Sequence, residues 1–276
     1  MNLSKKEFPV PAKLKEHGPA RIIAMCNQKG GVGKTTSTIN LAAALAEFGR
    51  KVLLVDFDPQ GALTAGLGKV NEDESAKSIY ELMIDRNLSA RDVIVPTGLK
   101  NLDLIPANID LSAAEVQLVN EVAREQILAR VLRSVADDYD LIIIDCQPSL
   151  GLLTVNALTA AHGVIVPLAC EYFALRGVKL LLDTVEKVRD RLNPAIKVDG
   201  ILATMFDSRT LHSREVVERL HETFGDLVFA TVIARTVKFP DATVAATPIT
   251  TFAPNSDAAN AYRNVAKELI FRGSAP

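Results

Sequence analysis

One stretch constrains this chain before anything else is read. Lys29-Gly30-Gly31-Val32-Gly33-Lys34-Thr35-Thr36 lies between an apolar run at 21–26 and Leu41, Leu45 and Phe48 at helical spacing. A strand, a glycine-rich turn and a helix in direct succession form a unit whose backbone N–H groups can converge on an anion. Three glycines let the backbone curl inward, and the helix N-terminus adds positive potential. The standard pattern Gly-x-x-x-x-Gly-Lys-Ser/Thr asks for glycine five places before Gly33, where Gln28 stands. The wording departs, but the physics survives. Lys34 is placed to bridge outer phosphates, the Thr35 hydroxyl to ligate Mg²⁺ and Thr36 to meet an α-phosphate. Lys29 has no task in that scheme.

Beyond the loop, strands and helices alternate. Strands are expected at 51–58, 101–107, 140–145, 163–168, 198–206 and 227–234. Helices are expected at 35–48, 113–136, 152–161, 175–192, 213–224 and 257–272, with Gly49 stopping the first. Parallel strands need crossovers of a dozen or more residues, so the pattern predicts an α/β fold: a mostly parallel twisted sheet with helices on both faces. No linker or repeat interrupts it, which predicts one domain over 21–276. Residues 1–20 mix lysine with proline without a period and read as a flexible N-terminal arm.

Composition excludes rather than selects. With 48% hydrophobic and 23% charged residues the chain is not a disordered one, and no run approaches a membrane span. Cys26, Cys146 and Cys170 show no metal-ligand spacing and read as buried reduced thiols of a cytoplasmic protein. A net charge of −2 leaves a local basic patch open.

Two further segments carry carboxylates. "VDFDPQG" places Asp56 and Asp58 two residues apart at a strand end, so both are expected to face the phosphate site. Either could instead form a turn ahead of Pro59. "LIIIDCQPSLG" looks like a Walker B strand, with Asp145 holding the metal through water.

Lys29 through Thr36 resembles the deviant phosphate loop of the ParA/MinD ATPases, and the likeness runs from about Arg21 to the last helix. It implies a P-loop NTPase fold binding ATP and Mg²⁺. It implies an ATP-dependent homodimer in which Lys29 reaches the partner's nucleotide, as an arginine finger does elsewhere. Lys29, Lys34 and Asp58 then carry catalysis, Asp58 by orienting the attacking water. Gly30, Gly31, Val32, Gly33, Lys34, Thr35, Thr36 and Met205 hold the nucleotide, and Thr35, Asp56 and Asp145 serve the metal. Arg209, in "DSRT", matches a DNA-contacting arginine, and Lys238 falls where the family has another. Arg235 joins them, with Arg214 and Arg219 nearby. Non-specific DNA and a ParB-type protein are the implied partners, at the nucleoid. The last helix leaves nothing for a membrane anchor. The chain departs from the family wording at Gln147, Arg176 and Ala234. A ParA-like positioning protein acting mainly through protein partners is the alternative, and a metabolic enzyme on the same nucleotide fold the third.

Overall fold

The computed structural model describes residues 6–70, 76–171 and 174–276. Seven strands form one sheet: β1 (Arg21–Met25), β2 (Val52–Phe57), β3 (Val95–Pro96), β4 (Leu102–Ile105), β5 (Leu141–Cys146), β6 (Gly163–Ala169) and β7 (Lys197–Thr204). Their order is β3-β4-β2-β5-β1-β6-β7. All neighbours are parallel except β3, which pairs antiparallel to β4 at the edge.

The central strands are apolar throughout because both their faces are covered. Leu53, Val55 and Phe57 of β2 join Ile142, Ile144 and Cys146 of β5 in one buried layer. Val52 and Leu54 join Leu141 and Ile143 in the other. This period of two is the strand pleat.

The connections are helical. They run α1 (Lys34–Glu47), α2 (Ala62–Gly66), α3 (Ile79–Ile84), α4 (Leu111–Gln117), α5 (Ile127–Arg133) and α6 (Leu152–Ala160). Then follow α7 (Ala174–Arg191), α8 (Leu211–Phe224), α9 (Lys238–Val244), α10 (Ile249–Phe252) and α11 (Asp257–Phe271). Helices α1 and α11 lie together on the second layer, with Leu41 and Leu45 against Val265 and Leu269. A polar contact joins the pair, Ser37 Oγ and Tyr262 Oη being 3.1 Å apart, and α10 is tied to α1 where the Ile249 N–H donates to Asn40 Oδ1 at 2.7 Å. Gly49, at φ +83°, ends the first turn past α1.

Three expectations need correction. The segment 227–234 is apolar but forms no strand; only isolated bridges, Ile201 to Val228 and Phe206 to Ala234, touch the sheet. Its Ala230 and Thr231 N–H groups donate instead to the buried Glu268 carboxylate of α11. The helix expected over 113–136 breaks. Ala123 takes φ +57°, and Asn156 accepts from the Leu128 N–H and donates to the Arg124 carbonyl, so α5 begins afresh. From residue 6 onward the expected arm lies against the body. Phe8 is buried with its ring centroid 5.5 Å from that of Phe271, and His17 Nδ1 is 2.8 Å from Asp140 Oδ2.

Candidate functional site

The glycine-rich loop and the buried carboxylates come together at the C-terminal ends of β1, β2, β5, β6 and β7, where open α/β sheets place ligands. Asn27, two residues past β1, fastens the loop. Its buried amide donates to the Pro167 carbonyl of β6 at 2.7 Å, and its Oδ1 accepts the Lys29 N–H at 3.0 Å. On the far side the Thr204 hydroxyl of β7 donates to the Val32 carbonyl at 2.8 Å. The loop is held from two strands while its glycines stay open. A Cβ on Gly30 or Gly31 would meet nothing within 4 Å, and Gly31 and Gly33 take φ +72° and +82°. That leaves a backbone-lined cradle at the start of α1.

The two lysines separate in space. Lys34 is buried, 6% exposed, and donates to the Lys29 carbonyl at 3.2 Å. The Lys29 ammonium lies outside the cradle and pairs with Glu171, just past β6.

The carboxylates sit under the loop. Asp56 and Asp145 stand opposite each other in the β2–β5 register. Asp145 accepts from the hydroxyls of Thr35 at 2.6 Å and Thr38 at 3.1 Å. Burial, then repulsion from Asp56, pushes its carboxyl up to about 7. Burial lifts Asp56 to about 6, against hydrogen bonds from the Thr64 hydroxyl at 2.6 Å and N–H at 2.8 Å. Two buried acids raised this way favour a cation beside them. Among the described residues no three His, Cys, Asp or Glu side chains form a metal cage. A pair of carboxylates with the Thr35 hydroxyl fits Mg²⁺, which keeps waters and takes phosphate oxygens as ligands. Asp58 sits on the turn that the sequence left open. It lies one residue beyond β2, its own N–H reaches Asp56 Oδ1 at 3.3 Å, and its Oδ1 accepts the Gln60 N–H at 3.0 Å, as in a turn.

Other expected residues distribute as follows. Thr36 opens the helix, its carbonyl accepting from the Asn40 amide. Met205 follows β7 in a left-handed backbone, φ +53°. Past it, Arg209, Arg214, Arg235 and Lys238 line one cleft of about 1030 Å³. Arg219 instead lines a different one, with Glu171 and Glu222. Arg209 forks onto Asp207, whose carboxyl it holds down at about 2. Gln147 donates to Glu115 at 3.2 Å, and Ala234 bridges to Phe206. The Arg176 side chain lies outside the described residues. Cys26, just past β1, and Cys146, at the end of the adjacent β5, have sulfurs 3.0 Å apart.

Sequence reading missed Asn27, Thr38, Thr64 and Glu171. Thr38 was findable, because it lies three residues after Thr35 on one helix face. The other three are set by tertiary contact alone.

Comparison with known proteins agrees with this geometry. Residues 20–198 match a family model described as an AAA domain. Sporulation initiation inhibitor protein Soj of Bacillus subtilis is 46% identical, over 92% of this chain and 99% of its own. The chain belongs to the ParA/Soj family. An uncharacterized Mycobacterium tuberculosis protein is 62% identical over 97% of this ParA/Soj chain and 84% of its own length. A crystal structure titled cobyrinic acid a,c-diamide synthase, from Mycobacterium smegmatis with bound ADP and magnesium, superposes with TM-score 0.79. It is 43% identical, covering 91% of this chain and 94% of that one. Among the described residues of this ParA/Soj member no helix is long and apolar enough to cross a membrane.

Proposed function

We propose that this protein is a slow Mg²⁺-dependent ATPase acting as an ATP-gated dimeric switch. In this reading it binds DNA without sequence preference and serves chromosome or plasmid partitioning with a ParB-type partner. The observation that carries the reading is the division of labour between the lysines. Lys34 is buried within its own loop, whereas the Lys29 ammonium stands outside it, exposed and held by Glu171.

Bound MgATP supplies the phosphoanhydride to be cleaved and a cation that neutralises charge developing on its oxygens. The chain supplies position. Backbone of Gly30–Gly33 and the start of α1 would receive the phosphates, Lys34 would balance their charge, and Thr35 with Asp145 and Asp56 would hold the cation's water shell. Asp58, beside Asp56 on a turn, is the candidate to orient a water. Met205, at the end of β7, is the candidate nucleotide contact on the base side. Lys29 is left to act across a dimer, where a cation near another subunit's phosphates stabilises charge in trans.

The test compares Lys29→Ala with Lys34→Ala using a non-hydrolysable ATP analogue. Lys34→Ala should lose analogue binding itself. Lys29→Ala should keep binding but lose analogue-induced dimerisation in light scattering, and lose hydrolysis with it. Wild-type dimerisation and turnover in Lys29→Ala would refute the trans role.

A further inference from the structure

The segment at residues 6–20 brings charge to a place that belongs to another part of the sequence. Phe8 is buried against Phe271 of α11. Farther along, His17 and the Gly18 N–H both bond Asp140. The segment is thus pinned at two points, and Lys6, its ammonium 5.6 Å from the Phe8 ring centroid, lines the cleft past β7. Lys6 there joins Arg209, Arg214, Arg235 and Lys238. Among the described residues two carboxylates, Asp207 and Asp257, share the lining, and Asp207 is already engaged by Arg209. In a chain of net charge −2 this is a concentrated excess of cations.

We propose that the pinned N-terminal segment is part of the DNA interface, with Lys6 contacting a backbone phosphate alongside Arg209, Arg235 and Lys238. The proposal rests on the DNA-binding reading above. A concave cleft with cations on its walls suits a rod-like polyanion, whereas a flat anionic bilayer would meet only its rim. Lysine is a point charge on a long stem, sufficient for a phosphate and uninformative toward a base.

The test is fluorescence anisotropy of a labelled duplex with Mg²⁺ and a non-hydrolysable ATP analogue, from about 50 to 200 mM salt. Lys6→Ala should weaken binding equally for AT-rich and GC-rich duplexes. It should also flatten the slope of log affinity against log salt by about 0.9, the share of one phosphate contact. Lys6→Glu should weaken it further. Lys6 is exposed, so an unchanged unfolding temperature confirms an intact fold. If both Lys6 variants keep the wild-type slope while the Arg209→Glu/Lys238→Glu double variant loses binding, the N-terminal segment is no part of the interface. If the double variant also binds as wild type, the DNA reading itself fails. Binding to phosphatidylglycerol vesicles in preference to duplex would replace DNA by a lipid surface and overturn the proposal.

Discussion

Replacing Asp145 by asparagine should strengthen the resting fold while removing its response to nucleotide. Asp145 is 1% exposed, stands opposite Asp56 in the β2–β5 register, and receives hydrogen bonds from Thr35 and Thr38. Asparagine keeps the shape and still accepts from a threonine hydroxyl. The carboxyl moves from an ordinary 3.8 to about 7, chiefly through burial and then Asp56, while the attraction of Lys34 is the smallest influence. That distance corresponds to roughly 4 kcal/mol between the two protonation states. The Asp56 repulsion is one part of that cost, so about 4 kcal/mol is an upper bound for Asp145 alone. Between pH 4 and 7 the folded chain keeps a proton that the unfolded chain has released, so stability falls as pH rises through that window. At pH 8 the full cost is present, and Asp145→Asn removes it. Thermal unfolding at pH 8 with a chelator should show the variant melting above wild type, by at most about 8–16 °C, the difference fading toward pH 4. With Mg²⁺ and the ATP analogue the order should invert, since only the carboxylate holds the cation's shell. A variant that melts at or below wild type at pH 8 without metal would refute the argument.

Two further outcomes follow from the same geometry. Asn27→Ala leaves the Pro167 carbonyl and the Lys29 N–H without their partner, which should cost about 1–3 kcal/mol in urea unfolding. Hydrogen exchange should speed up first at the Lys29 amide. Glu171→Gln should release Lys29 and lower the analogue concentration for half-maximal dimerisation a few-fold. Because the ion pair is exposed, that advantage should vanish in high salt, and an advantage that persists there would mean Glu171 acts otherwise.

What the sequence disclosed and what it withheld divide along a physical line. The cradle was legible because strand, glycines, lysine and helix are contiguous, and Asp145 because an apolar strand leads straight to it. Segment 227–234 misled because apolar residues such as Val228, Phe229 and Ile233 are buried without strand pairing. The N–H groups of Ala230 and Thr231 go to Glu268, distant in sequence. Asp58 was placed on a strand that ends one residue earlier, so its shared direction with Asp56 does not follow from the pleat. Glu171 escaped notice because an exposed glutamate carries no local signature, and its meaning comes only from standing beside Lys29. Phe8 was hidden by the prolines and lysines around it, which resemble a tail until Phe271 is found against it.

The bonds between α1 and the C-terminal helices have a practical side. Thr36 accepts from Asn40, Asn40 accepts from the Ile249 N–H, and Ser37 meets Tyr262 one turn of the α1 surface away. The last helix is therefore a brace on the phosphate loop, not a trailing end. A fusion partner or truncation that lifts α11 should loosen the first turn of α1 while the sheet stays whole. A change that displaces Tyr262 would be felt at Ser37, in the first turn of α1.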